Sequence, residues 1–548
     1  MHFLDWIVIG LYFLVMIGIG WWAKKRVKSA SDFFTAGGKL PWWLAGISHH
    51  MSGYSAAVFV GYAAIAYTTG FAVYVWWAVS ITIACVVGSF VIAPRWPRLR
   101  QRLGIISPLE FLTTRYNLPT QQVLAWSGTA LKIFDVAAKW AASAILLLVF
   151  AGVPLSIGIL LVGGVTLVYS TIGGLWADAL TDMGQFLIQL VAAVALVIAT
   201  MVRLDGVASV ATIWERLPAS HSQPFAGDFT VFFFLAYVLI NTVSYNGGTW
   251  NLAQRFIAAP SGSSARKSLL LSAGLFLVWP LVLFFPMWAA PLILPGLEDP
   301  SQSYALLAQT LLPAGLIGLV LAGMFSHTMA MTSSDANAIS SVIVRDIIPA
   351  LRGSRSRLSS RGELFAGRLT VFLFIALSMG LALNADSFGG VLGLLILWFG
   401  ALVGPIAIPM LLGMLRPFRR SGPSAALSSW VVGLLVFATI KYVIPTQIAD
   451  LGTATAQTVS VASPIIASII VYCLVGLLHP WHDAKSDALV ASLDSDLDSD
   501  SELATDVDGR GPGGTTGRGT APASSDPSDP SDPVGPAEPS TARAGGAV

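Results

Sequence analysis

Charge is what this chain has least of. Only 11% of its 548 residues are Asp, Glu, Lys or Arg, against about 25% in soluble domains. With 55% hydrophobic residues and a mean hydropathy of +0.73, this excludes an ordinary soluble protein and indicates many membrane spans. The formal net charge of +2 offers no field for a nucleic-acid partner. There are two cysteines, Cys85 and Cys473, both inside apolar runs. They build no disulfide framework or metal cage and read as small apolar packing residues. No P-loop, metal-ligand spacing, nucleophile elbow or dinucleotide fingerprint lies in a soluble segment. An enzyme and an ATP-driven pump are thereby set aside. No cofactor and no obligatory protein partner is indicated; the bilayer is the evident surrounding.

Long apolar runs are present instead. They lie near 3–22, 42–68, 72–94, 122–150, 154–173, 180–202, 231–257, 268–292, 312–344, 366–385, 388–415, 427–446 and 460–478. That predicts an all-α, multi-pass membrane protein of about thirteen helices. The first run has its basic residues after it and no cleavage site, so it reads as a retained helix with the N-terminus outside. Alternation then puts Lys24, Arg26, Arg98, Arg115, Arg266, Arg345 and Arg419 in cytoplasmic loops. The outside loops carry only Arg203 and Arg216. This asymmetry fits the positive-inside rule and a plasma-membrane location. Residues 1–480 form the membrane domain. From 481 to 548 the chain is rich in Asp, Ser, Gly and Pro, with an SDP triplet repeated over Ser525–Pro533, and reads as a disordered cytoplasmic tail.

Polar and helix-breaking residues inside spans mark candidate sites. In the run Leu40–Tyr62, His49, His50, Ser52, Gly53, Tyr54 and Ser55 stand at mid-membrane depth. A break near Ser52-Gly53 would expose backbone to an ion or solute. The two histidines either hydrogen-bond neighbouring helices as neutral imidazoles or act as a solute contact or proton switch. Asn246, Gly247, Gly248 and Trp250 form a second interrupted stretch, which starts the second half of a five-plus-five arrangement. Ser326, His327, Ser333, Ser334, Asp335 and Asn337 make the 312–344 run so polar that it must be central. Thr181-Asp182, with Asp178 one turn earlier, holds a cation, pairs with a basic loop or caps the helix. Asp135 and Lys139 are spaced for an intrahelical ion pair, with Lys132 nearby. Alternatively Lys139 meets a solute carboxylate, and the two lysines tilt the expected solute toward one.

Several motifs together resemble the solute:sodium symporter family, which includes the sodium/glucose and sodium/proline cotransporters. They are Ser31-Asp32-Phe33 through Gly38 with Leu40-Pro41-Trp42-Trp43; Ser107-Pro108-Leu109-Glu110-Phe111 with Arg115-Tyr116; Tyr169-Ser170-Thr171-Ile172-Gly173-Gly174-Leu175 with Thr181-Asp182 and Gln185; Gln254-Arg255 with Ala258-Ala259; and Asn337 through Asp346-Ile347. The resemblance covers about residues 1–480. It implies a leucine-transporter-like core of two inverted five-helix repeats over 42–415, one extra helix before it and two after it (427–478). It also implies cation-coupled uptake of a small organic solute, with sodium as the coupling ion. The family's sodium-site carbonyls map to Met51 and Tyr54, and an acidic position of some members to Asp182. Its two hydroxyl positions fall on Ala330 and Met331, whose side chains carry no oxygen, while Ser333 and Ser334 follow within a turn. Proton coupling through His49, His50 and His327 is therefore kept beside sodium, as are uniport and a transporter-like sensor. The expected cation set is Met51, Tyr54, Asp182, Ala330, Ser333 and Ser334. The expected solute set is His50, Ser52, Gly53, Ser55, Asn246, Trp250 and Lys139, with Tyr54 or Trp250 as a gate.

Overall fold

The computed structural model describes residues 1–353, 358–384 and 403–494. Among these the spans are α1 (Phe3–Ala23), α2 (Trp42–Met51), α3 (Gly61–Thr69), α4 (Tyr74–Val91), α5 (Leu118–Ala151), α6 (Leu155–Arg203), α7 (Val231–Val243), α8 (Trp250–Ile257) and α9 (Gly262–Ile293). They continue with α10 (Leu316–Val342), α11 (Ser360–Ala382), α12 (Gly404–Leu412), α13 (Pro423–Ala438) and α14 (Thr453–Leu478). Among the described residues ten helices are long and apolar enough to cross a bilayer. The predicted number is larger because the 42–68 span is broken, one helix carries two runs, and the start of the 388–415 run is not among the described residues. Helix α6 bends at Gly174, whose φ of 55° and ψ of −151° leave the helical region, so it holds both the 154–173 and the 180–202 runs. The first part of the 388–415 run, and Arg355 and Arg357 of the preceding loop, lie outside the described residues.

The two interruptions fall where the sequence predicts them. Helix α2 ends at Met51, and Ser52 to Ser55 are non-helical before a short 3₁₀ turn leads into α3. Between α7 and α8 the chain opens at Asn246 and Gly247, where Gly247 has φ 105°. That conformation suits glycine alone. A Cβ there would also meet the Trp96 indole at 2.8 Å. Unwound backbone inside a membrane domain is tolerated where protein surrounds it, and both breaks are buried.

Helix α10 is the centre. From Val320 to Val342 every residue is buried except Met331, which is partly exposed. It makes its most extensive pairing with α6, and α2 lies against α9.

Loops predicted to share one side do assemble together. Arg100 donates to the carbonyls of Ile257 (2.7 Å) and Ala259 (2.9 Å). Arg345 pairs with Glu110 at 2.7 Å and Glu363 at 2.9 Å. On the other side Asp5 accepts from the backbone of Gly315 (2.7 Å) and Gly318 (3.0 Å), capping the start of α10.

One expectation is corrected. The polar tail does not begin at 481, because α15 (Ala484–Asp494) is helical, with Leu489, Val490 and Leu493 buried. The Asp- and Ser-rich composition hid three apolar residues on one helical face. Arg98 donates to the Leu493 carbonyl at 2.7 Å, and Arg115 to the Ser486 hydroxyl at 3.1 Å. The rest of the predicted tail lies outside the described residues.

Candidate functional site

Three side-chain groups meet around the Ser52-Gly53 break. The first is a carboxylate cluster. Asp178 and Asp182 lie four residues apart on α6, so they share one face. Asp178 accepts from the Ser333 hydroxyl, from the Ser334 hydroxyl (2.8 Å) and from the Arg255 guanidinium. Asp182 accepts from Ser48 at 2.5 Å and lies 3.5 Å from Arg255. Arg255 also donates to Ser48 (3.1 Å), Ser52 (3.2 Å) and Ser334. Ser52 and Ser334 share a hydrogen bond of 2.8 Å. Four elements therefore converge on one guanidinium. Two carboxylates face one arginine, so the cluster carries one net negative charge, and every member is buried. One atom is left over: Asp182 Oδ1 has no hydrogen-bond partner. A buried carboxylate oxygen without a partner is costly and points to a missing cation or proton.

The second group is a salt-bridged tetrad. Lys132 lies 2.8 Å from Asp135 and 2.9 Å from Asp335. Lys139 lies 2.6 Å and 2.7 Å from the same two carboxylates. All four are buried. Two lysines and one aspartate on α5 leave an unbalanced positive charge in that helix, and Asp335 of α10 neutralises it. The charges are thus satisfied within the protein, which removes the basis for expecting a solute carboxylate from the lysines alone.

The third group is a cavity of about 440 Å³. Its wall draws on some of the residues between Ser52 and Ile65 on one side and between Tyr237 and Leu252 on the other, with Asp135 and Lys139 in it. Of the expected solute residues, Ser52, Gly53, Ser55 and Lys139 line it. Tyr54 lines it too, and so does Met331. His50, Asn246 and Trp250 do not. His50 packs edge-on against Phe276 at 4.5 Å and bonds the Tyr54 hydroxyl at 3.3 Å. Asn246 turns away to the carbonyls of Ala84 (3.1 Å) and Thr242 (2.7 Å). The Trp250 ring sits over Gly128, where a Cβ would collide with it. In each case helix packing outbids the ligand-facing orientation.

The expected cation set also divides. Asp182, Ser333 and Ser334 meet in the first group. Ala330 joins through its carbonyl, which accepts from Ser334 at 2.6 Å and Ser333 at 3.1 Å. Met51 and Tyr54 stand apart from it. The His327 imidazole stacks on the Tyr54 ring at 3.9 Å between centroids. His49 is occupied on both nitrogens, by Ser272 (2.8 Å) and the Tyr245 carbonyl (3.0 Å), and so pins the second break.

Asp178, Arg255, Lys132 and Asp335 join these groups, although the expected cation and solute sets did not include them. The signals were present: Asp178 and Asp182 at i,i+4, and three ionisable residues on α5 that do not cancel. Their partners were not, because they come from other helices.

Residues 33–433 match the profile described as the sodium:solute symporter family. The chain belongs to the sodium:solute symporter family. It is a secondary transporter that couples a cation to a solute, and not an enzyme. The sodium/sialic acid symporter SiaT of Proteus mirabilis is 24% identical over 489 residues, 85% of this chain and 95% of that protein. The sodium/glucose cotransporter of Vibrio parahaemolyticus is 26% identical, over 63% of this chain and 69% of its own. The human sodium/iodide cotransporter is 27% identical, over 78% and 69%. A solved structure of a Na⁺-coupled sialic acid symporter, substrate-bound and outward-open, superposes with a TM-score of 0.74. It has 22% identity and covers 87% of this chain and 98% of that one. At that identity the likeness establishes the symporter fold.

Proposed function

We propose that this family member is a plasma-membrane symporter that couples one sodium ion to each solute, with the N-terminus outside and α15 cytoplasmic. The ion binds at Asp182, supported by Asp178, Ser333 and Ser334, and the solute occupies the cavity between the two breaks. The observation that carries this is the unpartnered Asp182 Oδ1 in a buried cluster with one net negative charge. A monovalent cation balances that charge and supplies the missing partner. Carboxylate and hydroxyl oxygens are hard ligands of the kind sodium takes. A proton on Asp182 would balance the charge equally; the family, and relatives named as sodium symporters, support sodium. No hydrogen bond joins His49, His50 or His327 to a carboxylate among the described residues, which also disfavours a histidine proton site. Met51 and Tyr54 then shape the passage between ion and solute.

The Ser52-Gly53 break links the two sites. Ser52 touches the ion cluster through Ser334 and Arg255, and the Gly53 carbonyl accepts from Tyr245 at 2.5 Å. Emptying the ion cluster therefore loosens the floor of the cavity, which is the coupling a symporter needs.

The test is thermal unfolding of the purified protein in sodium chloride against choline chloride at equal ionic strength, at two pH values. Sodium is expected to raise the midpoint of the wild type and not of Asp182→Asn. A midpoint that follows pH and ignores sodium would assign the site to a proton. A midpoint that follows neither would favour uniport.

A further inference from the structure

Taking the cavity as the solute site proposed above, we infer that the solute is an aromatic zwitterion, a molecule with an aromatic body and both an ammonium and a carboxylate group.

Charge balance is the first argument. Asp135 and Lys139 are the charged groups in the cavity wall, and with Lys132 and Asp335 they sum to zero. A solute of net charge would leave that charge unbalanced in a low-dielectric site. A zwitterion does not. It also has a place to go. Asp135 and Lys139 are joined to each other at 2.6 Å, yet each keeps a second partner. Asp135 holds Lys132 at 2.8 Å, and Lys139 holds Asp335 at 2.7 Å. A solute ammonium on Asp135 and a solute carboxylate on Lys139 exchange one internal ion pair for two, with no group left alone.

The second argument concerns the neutral alternative. A polyol needs a partner for each hydroxyl. The amide N–H groups beside the cavity are engaged elsewhere: Asn241 donates to Ser80 at 2.7 Å, Asn246 to the Thr242 carbonyl at 2.7 Å and Asn251 to the Ser52 carbonyl at 3.3 Å, while the buried Ser244 hydroxyl in the wall has no partner among the described residues. The Thr249 hydroxyl donates to the Ser244 carbonyl at 3.0 Å.

The third is the wall itself. Tyr54, Tyr62, Trp77, Tyr237 and Tyr245 face the cavity. Tyr54 and Tyr62 each meet Trp77 edge-on or tilted, with centroids 5.3 and 5.2 Å apart. Such a box favours another ring by offset or edge-to-face packing. The volume is at the small end of ligand pockets, roughly 300–1,000 Å³.

The experiment is calorimetric titration of the full-length wild-type protein, purified in sodium chloride, with a matched series. L-Phenylalanine carries both charges, 3-phenylpropanoate lacks the ammonium, phenethylamine lacks the carboxylate, L-alanine lacks the ring, and D-galactose is the polyol. L-Phenylalanine is expected to bind, with each of the others at least about tenfold weaker, since each leaves a buried charge or the aromatic box unmatched. Asp135→Asn turns the tetrad net positive and is expected to reverse the order of L-phenylalanine and 3-phenylpropanoate. Should that variant not fold, Tyr237→Leu is expected to weaken L-phenylalanine about tenfold. Equal or tighter binding of any other probe by the wild type overturns the inference, as does no binding of L-phenylalanine while sodium still stabilises the protein. L-Phenylalanine binding without sodium-driven uptake in proteoliposomes supports the solute class and contradicts the symport reading alone.

Discussion

Replacing Lys139 by methionine is the most informative single perturbation of the membrane core. Its ammonium lies 2.6 Å from Asp135 and 2.7 Å from Asp335, and its side chain is 3% exposed. Removing it leaves two carboxylates sharing Lys132, at 2.8 and 2.9 Å, and a buried net charge of minus one. Breaking a buried pair in this way costs about 3–5 kcal/mol. Lys132 still contacts both carboxylates, so the lower end, about 3 kcal/mol, is expected. Asp335→Leu alone leaves the opposite imbalance and is expected to cost about the same. The two changes together leave a neutral Lys132–Asp135 pair and restore much of the loss. The assay is a double-mutant cycle on reversible unfolding in mixed detergent micelles. The double variant should be more stable than either single variant, with a coupling energy of about 2 kcal/mol or more. Losses that simply add would refute the view that charge balance, rather than side-chain volume, holds α5 to α10.

Other consequences follow from the same contacts. Gly247→Ala places a Cβ at φ 105° and 2.8 Å from Trp96; a loss of about 1–3 kcal/mol in the same unfolding assay is expected, and an unchanged stability would contradict the strained break. Arg115→Lys keeps the charge but loses the fork that reaches the carbonyls of Gly413 (2.7 Å), Phe418 (2.8 Å) and Ser421 (3.0 Å). It should destabilise by about 2 kcal/mol, because an ammonium cannot span the three. Arg255→Gln raises the ion cluster to two net negative charges; sodium should then stabilise the protein more steeply than in wild type, read from the midpoint against salt concentration. Asp178→Asn makes the cluster neutral, and sodium stabilisation should disappear.

The spans were legible because a bilayer demands long apolar runs, and most of the runs set by composition fall on helices among the described residues. Both breaks were legible for a local reason: Ser52-Gly53 and Asn246-Gly247-Gly248 weaken a helix wherever they occur. What was not legible is which polar group meets which. The reading of His50, Asn246 and Trp250 as solute contacts assumed that polar residues beside a break face the ligand. Here they hold neighbouring helices instead. Asp182, Ser333 and Ser334 were named as candidates by type and spacing, whereas their pairing with Asp178 and Arg255 depends on how α6, α8 and α10 cross. The tail was misread near 484–494 because three buried apolar residues do not outweigh an acidic, serine-rich composition.

Sodium-binding stoichiometry of the purified protein tests the central claim most directly. Equilibrium binding of radioactive sodium, without solute, should saturate at one ion per transporter. Asp182→Asn and Asp178→Asn should abolish it. Saturation at two ions, or retention of binding in both variants, would contradict a cluster of one net negative charge as the coupling site.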